Sequence, residues 1–236
     1  MSVNLEELDY EKTAIGELIL RRRRFPTLGE RDVFEVILND EFLMSSLYTA
    51  GEIALADLAL AATGDDRLNV IVGGLGLGYT AATVLECDRV GSLQVIEALP
   101  NVIAWHEREL LPVSSQLTGD ARCTFHEGDF FEHAAHGFTD VRGGHRCDAV
   151  LLDIDHSPRH VLHPSNRDFY SAAGLSSLHD MFDGKGIFAL WSNDPPDDDF
   201  IGVLGDVFAT TSAQVIEIDN PLTGITGHNT IYVATV

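Results

Sequence analysis

From residue 68 onward the chain alternates between two hydrophobic periods. Short apolar runs at residues 68–72, 93–97, 122–126, 148–153 and 186–191 read as strands. Between them, residues 79–86, 101–110, 167–181 and 198–208 carry the wider apolar spacing of helices. Strands separated by helices call for parallel crossovers, which gives a mainly parallel sheet covered on both faces. The last two apolar runs, 213–218 and 229–236, are joined by a turn-rich segment, Asp219-Asn220-Pro221-Leu222-Thr223-Gly224. That is too short for a helical crossover, so these strands are expected to pair antiparallel.

The first part of the chain has a different pattern. Residues 14–24 and 32–44 read as two strands, with Phe25-Pro26-Thr27-Leu28-Gly29-Glu30-Arg31 as the turn between them. They make a small N-terminal β-hairpin, preceded by a loosely docked tail over residues 1–12. The basic run Arg21 to Arg24 reads as a solvated edge that discourages aggregation, ahead of a subunit contact or an anion clamp. Residues 50–62, rich in alanine and leucine, read as a helix. The expected division is therefore a tail and hairpin over residues 1–48 and an α/β domain over residues 49–236.

Composition narrows the class. There are 37 acidic residues against 15 Lys and Arg, a formal charge of −22, which opposes nucleic-acid binding. The same charge attracts cationic substrates, although solubility or salt adaptation explains it equally well. Three isolated cysteines, Cys87, Cys123 and Cys147, form neither a disulfide framework nor a zinc pattern. The acidic, polar opening Met1-Ser2-Val3-Asn4-Leu5-Glu6-Glu7 does not read as a secretory signal, and no apolar run is long enough for a membrane helix. The expectation is a cytoplasmic protein.

Candidate chemistry gathers at the carboxyl ends of the strands. The first core strand runs into Gly73-Gly74-Leu75-Gly76-Leu77-Gly78, a glycine turn just before a helix. Such a turn lets a nucleotide approach the backbone, with Gly74, Gly76 and Gly78 as the candidate positions. Gly76 to Ala81 even fits the dinucleotide pattern G-x-G-x-x-A. Glu97 ends the second strand, where an acid can accept hydrogen bonds from ribose hydroxyls. Asp129 ends the third, within reach of an adenine amine, and Asp153 ends the fourth. Singly each acid could be a helix cap. Together with the terminal hairpin they favour a sulfonium nucleoside over a nicotinamide dinucleotide.

These segments, with Glu127-Gly128-Asp129-Phe130-Phe131, the stretch from Asp148 to Pro158, the 220–224 turn and Asn229-Thr230-Ile231-Tyr232, resemble the spermidine synthase (polyamine aminopropyltransferase) family over roughly residues 14–236. The resemblance implies a Rossmann-like fold of the class I S-adenosylmethionine-dependent methyltransferase type, with a small β appendage, in homodimers. It implies Glu97 on the ribose, Asp129 near the adenine and Asp153 as the acid–base residue. The family's glycine loop also carries an aspartate that holds the amino end of decarboxylated S-adenosylmethionine. Here Gly76 and Leu77 stand in its place, which removes a group that would repel ordinary S-adenosylmethionine.

The expected activity is therefore methyl transfer from S-adenosylmethionine to a small amine-bearing acceptor. Aminopropyl transfer from decarboxylated S-adenosylmethionine is the alternative, and a non-catalytic nucleoside-binding protein is a third reading. Asp155 is a second candidate catalytic acid, able to anchor another positive site or simply to sit solvated in its loop. Tyr48, Glu52, His156 and Trp191 are the candidate acceptor contacts. His156, His160 and His163 match no tight ligand spacing, so no metal site is expected.

Overall fold

The computed structural model describes residues 4–13, 15–29 and 31–236. Strands β1 (Leu5–Thr13), β2 (Gly16–Arg24), β3 (Asp32–Leu38) and β4 (Glu41–Ser45) form an antiparallel sheet in that order. Residues 5–13 are thus no loose tail. They pair with β2 from Leu5 opposite Arg23 to Thr13 opposite Gly16, and Asp9 accepts a 2.6 Å hydrogen bond from the Trp105 indole. Met1, Ser2, Val3, Ala14 and Glu30 lie outside the described residues.

The single strand expected over residues 32–44 is also two strands. Asn39 and Asp40 both adopt left-handed backbone, φ 52° and 64°, the geometry of a tight two-residue hairpin turn. Asn and Asp tolerate that conformation, but without a glycine the turn left little mark on the hydrophobic pattern. The basic run sits on β2, an interior strand with partners on both sides. Arg21 bonds Glu35 at 2.6 Å, Arg22 bonds Glu6, Arg24 bonds Asp32, and Arg23 lies over the Phe25 ring. These are cross-strand charge pairs that tie the sheet together, not an open guarded edge.

After α1 (Ala50–Ala61) comes a seven-stranded sheet. Its strands are β5 (Leu68–Gly73), β6 (Val90–Glu97), β7 (Cys123–Glu127), β8 (Ala149–Leu152), β9 (Ile187–Ser192), β10 (Thr210–Asp219) and β11 (Thr226–Thr235). The spatial order is β10-β11-β9-β8-β5-β6-β7, parallel except for β10 and β11. The C-terminal antiparallel hairpin is therefore present, inserted with its second strand against β9. Helices α2 (Tyr79–Glu86), α3 (Pro100–Glu107), α4 (Ser114–Gly119), α5 (Phe130–Ala135), α6 (Ala172–Met181) and α7 (Asp198–Val207) cover the two faces.

Period-two alternation splits the core. Val70, Val72, Val95 and Leu151 face one way, packing with α1, α2 and with Leu18 and Leu20 of the small sheet. Ile71, Ile96, Val150 and Leu152 face the other way, into a cluster rich in phenylalanine. The helix expected over residues 167–181 is interrupted. A 3-10 stretch, Pro164–Tyr170, stops at Ser171, whose extended backbone and side chain cap α6. The short α4 and α5 gave no helical period to read, and α3 ends three residues early because Glu109 turns left-handed at φ 54°.

No helix among the described residues is long and apolar enough to cross a membrane. Strand order reverses between β5 and β8, which opens a crevice at their carboxyl ends.

Candidate active site

The glycine turn follows β5 directly into that crevice. Gly74 has φ 91°, and a Cβ there would lie 2.2 Å from the Asp153 carbonyl oxygen. Only glycine lets the ends of β5 and β8 approach so closely. Gly76 and Gly78 are also left-handed, at φ 47° and 88°. The turn is held from below by two side chains, half-buried Glu97 and fully buried His106. Glu97 accepts from the Leu75 amide through Oε2 and from the Leu99 amide through Oε1, each at 2.9 Å. His106, fully buried on α3, lies with Nε2 3.0 Å from the Gly76 carbonyl and Nδ1 3.3 Å from the Ser114 hydroxyl.

Burial pushes the His106 pKa down, which keeps the ring neutral, and the Gly76 carbonyl can only accept. Nε2 therefore carries the proton and donates it to the loop. A Cβ at Gly78 would also meet the His106 ring at 2.7 Å, so this glycine makes room for the histidine that grips its own loop. Sequence reasoning missed His106. Its only mark was a polar ring on the buried side of a helix next to Trp105.

Asp153, one residue past β8, accepts a 2.9 Å hydrogen bond from the Thr80 hydroxyl in the first turn of α2. Glu52, in the first turn of α1, faces the same cavity. Burial raises the pKa of both carboxyls. Asp153's negative charge raises Glu52 further, while the Thr80 hydrogen bond draws Asp153 partly back down. The two acids titrate as a pair in which the second proton is held strongly.

The cavity has a volume of about 620 Å³ and lies between the glycine turn, α1 and the tips of two hairpins, β3–β4 and β10–β11. It brings together Tyr48, Glu52, Gly76, Gly78, Asp153, His156 and Trp191. The Trp191 indole nitrogen is buried without a hydrogen-bond partner among the described residues, and Gly51 admits it, since a Cβ there would lie 2.5 Å away. Three other candidates sit outside the cavity wall. Gly74 and Glu97 lie beneath the turn. Asp129 caps α5, accepting from the Phe131 amide at 2.8 Å, with its side chain otherwise open to solvent.

Asp155 is a correction. It is neither a solvated loop acid nor placed to anchor substrate. It is completely buried, and accepts from the Leu162 amide at 2.6 Å, the Asn166 side chain at 3.0 and 3.2 Å, and the Tyr170 hydroxyl at 2.7 Å. With both oxygens used, it braces the loop after β8. The nearby histidines disperse as well, since His160 pairs with Asp194 at 2.7 Å and His163 caps the following 3-10 stretch. Among the described residues no three His, Cys, Asp or Glu side chains converge as a metal site would require.

No family model and no curated protein matches this sequence. Solved structures do match. A spermidine synthase from Thermotoga maritima superposes with a TM-score of 0.72 at 17% identity, covering 97% of this chain and 72% of its own. A spermidine synthase in complex with the transition-state analogue AdoDATO gives a TM-score of 0.74 at 17% identity, covering 97% and 73%. The chain therefore has a spermidine synthase-like α/β fold, including the small antiparallel sheet at its N-terminal end.

Proposed function

We propose that the chain is a transferase that uses an adenosyl sulfonium donor to alkylate a small amine, with aminopropyl transfer as the leading reaction. One observation carries this reading. A pair of acids with raised pKa, Asp153 and Glu52, lines a cavity beside a glycine turn in a spermidine synthase-like fold. In the proposed arrangement the nucleoside lies over the turn, with Glu97 near its ribose and Asp129 near its adenine. The amine enters opposite, against Asp153.

An alkylamine is protonated at neutral pH and has no free electron pair. Asp153 holds the ammonium and accepts its proton. The freed nitrogen pair attacks the carbon bound to sulfur. The new C–N bond forms as the C–S bond breaks, and its electrons remain on sulfur as a neutral thioether. The site's main contribution is alignment, since the leaving group needs no help. Tyr48, His156 and Trp191 wall the acceptor side.

Methyl transfer from ordinary S-adenosylmethionine is the second reading, and the loop itself favours it. Gly76 and Leu77 offer no carboxylate to hold the amino end of a decarboxylated donor or to repel the carboxylate of the intact one. Calorimetry with the two donors side by side separates the readings. Binding of the decarboxylated donor alone, followed by aminopropyl product, supports the first. Binding and methyl transfer with S-adenosylmethionine alone overturn it in favour of the second, and binding of neither overturns both.

A further inference from the structure

The charge pattern along the cavity narrows the acceptor. Only two lining residues are acids, Glu52 and Asp153, and both lie at the inner end, half-buried against α1 and α2. The outer end is made by the two hairpin tips. Phe42 of β4 is 51% exposed there, and Ile225, between β10 and β11, is 69% exposed. Large apolar side chains standing in water at a cavity mouth suit an apolar ligand. Between the ends, Leu43 and Ile218 continue the apolar wall, and the other polar groups of the lining, Asn220, Thr223 and the histidines His156 and His228 among them, offer no negative charge.

A diamine would need a second carboxylate at the far end. Asp155, the acid nearest in sequence to Asp153, is withdrawn into the loop behind β8 with both oxygens bonded. Glu41 and Asp219 flank the hairpin tips but are solvent-exposed and off the wall, and Asp219 bonds the Thr226 hydroxyl at 3.2 Å. Exposed acids of this kind add little to binding. A second ammonium would therefore lose water beside isoleucine and phenylalanine and gain no partner.

We propose that the acceptor is a monocationic amine with an apolar arm, its ammonium at Glu52 and Asp153 and its arm running along Leu43 and Ile218 to Phe42 and Ile225. This rests on the transferase reading above for the purpose of the amine, but the binding preference can be measured alone.

The test is calorimetry on the full chain, with and without methylthioadenosine, titrating n-alkylamines from butyl to octyl and α,ω-diamines of equal length. Each added methylene is expected to tighten monoamine binding by up to about fourfold until the arm reaches the mouth. Hexylamine is expected to bind at least about tenfold tighter than 1,6-diaminohexane. Phe42→Ser and Ile225→Ser, both at exposed positions, are expected to flatten the dependence on chain length. The proposal is overturned if the diamine binds as tightly as its monoamine, if affinity ignores chain length, or if no amine binds. Failure of methylthioadenosine to bind would instead sink the transferase reading, and the amine series alone would still report the acceptor preference.

Discussion

At the residue scale the proposed chemistry rests on two carboxyls, Glu52 in the first turn of α1 and Asp153 one residue past β8. Replacing Asp153 with Asn keeps the shape and the Thr80 contact but removes the proposed base. Turnover should fall by about 10²–10⁴-fold while the donor still binds, and unchanged turnover would remove Asp153 from the mechanism. Glu52 acts through charge. Its folded-state pKa and that of Asp153 lie above their unfolded values, so the folded chain keeps protons that the unfolded chain has already lost. The stability linked to them is full below about pH 4 and declines as pH rises through the raised folded-state values. Glu52→Gln should match the parent near pH 4 and exceed it in chemical denaturation at pH 8–9. Asp153 ionises while Glu52 is still protonated, so the acid limb of the rate profile should stay where it is in the parent. A variant whose stability follows the parent at pH 8–9 as well as at pH 4 would show that Glu52 is not held protonated in the folded chain.

At the scale of elements, the glycine turn depends on what grips it. In His106→Leu the Gly76 carbonyl loses its donor, and an unsatisfied buried group costs about 1–3 kcal/mol. The donor KM should rise more than kcat falls, and His106→Gln should recover most of the difference by offering an amide N–H. Equal loss in both variants, with the KM unchanged, would reduce His106 to ordinary packing. The sequence could show the turn, because four glycines after an apolar run leave few other readings. It could not show His106, whose role depends on α3 folding back beneath β5. Hydrophobic period located every strand of the large sheet, yet it merged β3 with β4, because an Asn-Asp turn interrupts the polarity pattern so little. Asp40→Gly should place an unstrained residue at that left-handed position, φ 64°, and raise stability by up to about 1 kcal/mol in urea unfolding. A loss would mean that the Asp40 side chain holds the turn. Asp153 was legible because strand ends mark the ligand edge of such sheets. Asp155 was misread because two residues along a loop reverse a side chain from cavity to core, and sequence spacing does not record that reversal.

For the whole molecule, charge is the dominant fact. A formal −22 on 236 residues concentrates like charges at distances below the screening length of dilute buffer. Some are neutralised locally, as in the ladder of arginines on β2 and the Arg159 pairs with Asp197 and Asp199. Acids outnumber bases by more than two to one, however, so most have no cation to meet. Self-repulsion then lowers stability, and the net negative field also attracts cations to the molecule. The two effects respond differently to salt. Screening relieves repulsion, so the Tm should climb steadily from about 0.01 to 1 M sodium chloride as the Debye length shrinks from about 30 to 3 Å. Over the same range the association rate of a cationic amine should fall, whereas that of an uncharged nucleoside thioether should hold. A Tm that ignores salt would mean that local pairing already cancels the repulsion. Equal salt sensitivity for the amine and the thioether would mean that the acidic surface does not steer the amine, and would leave solubility as its physical effect.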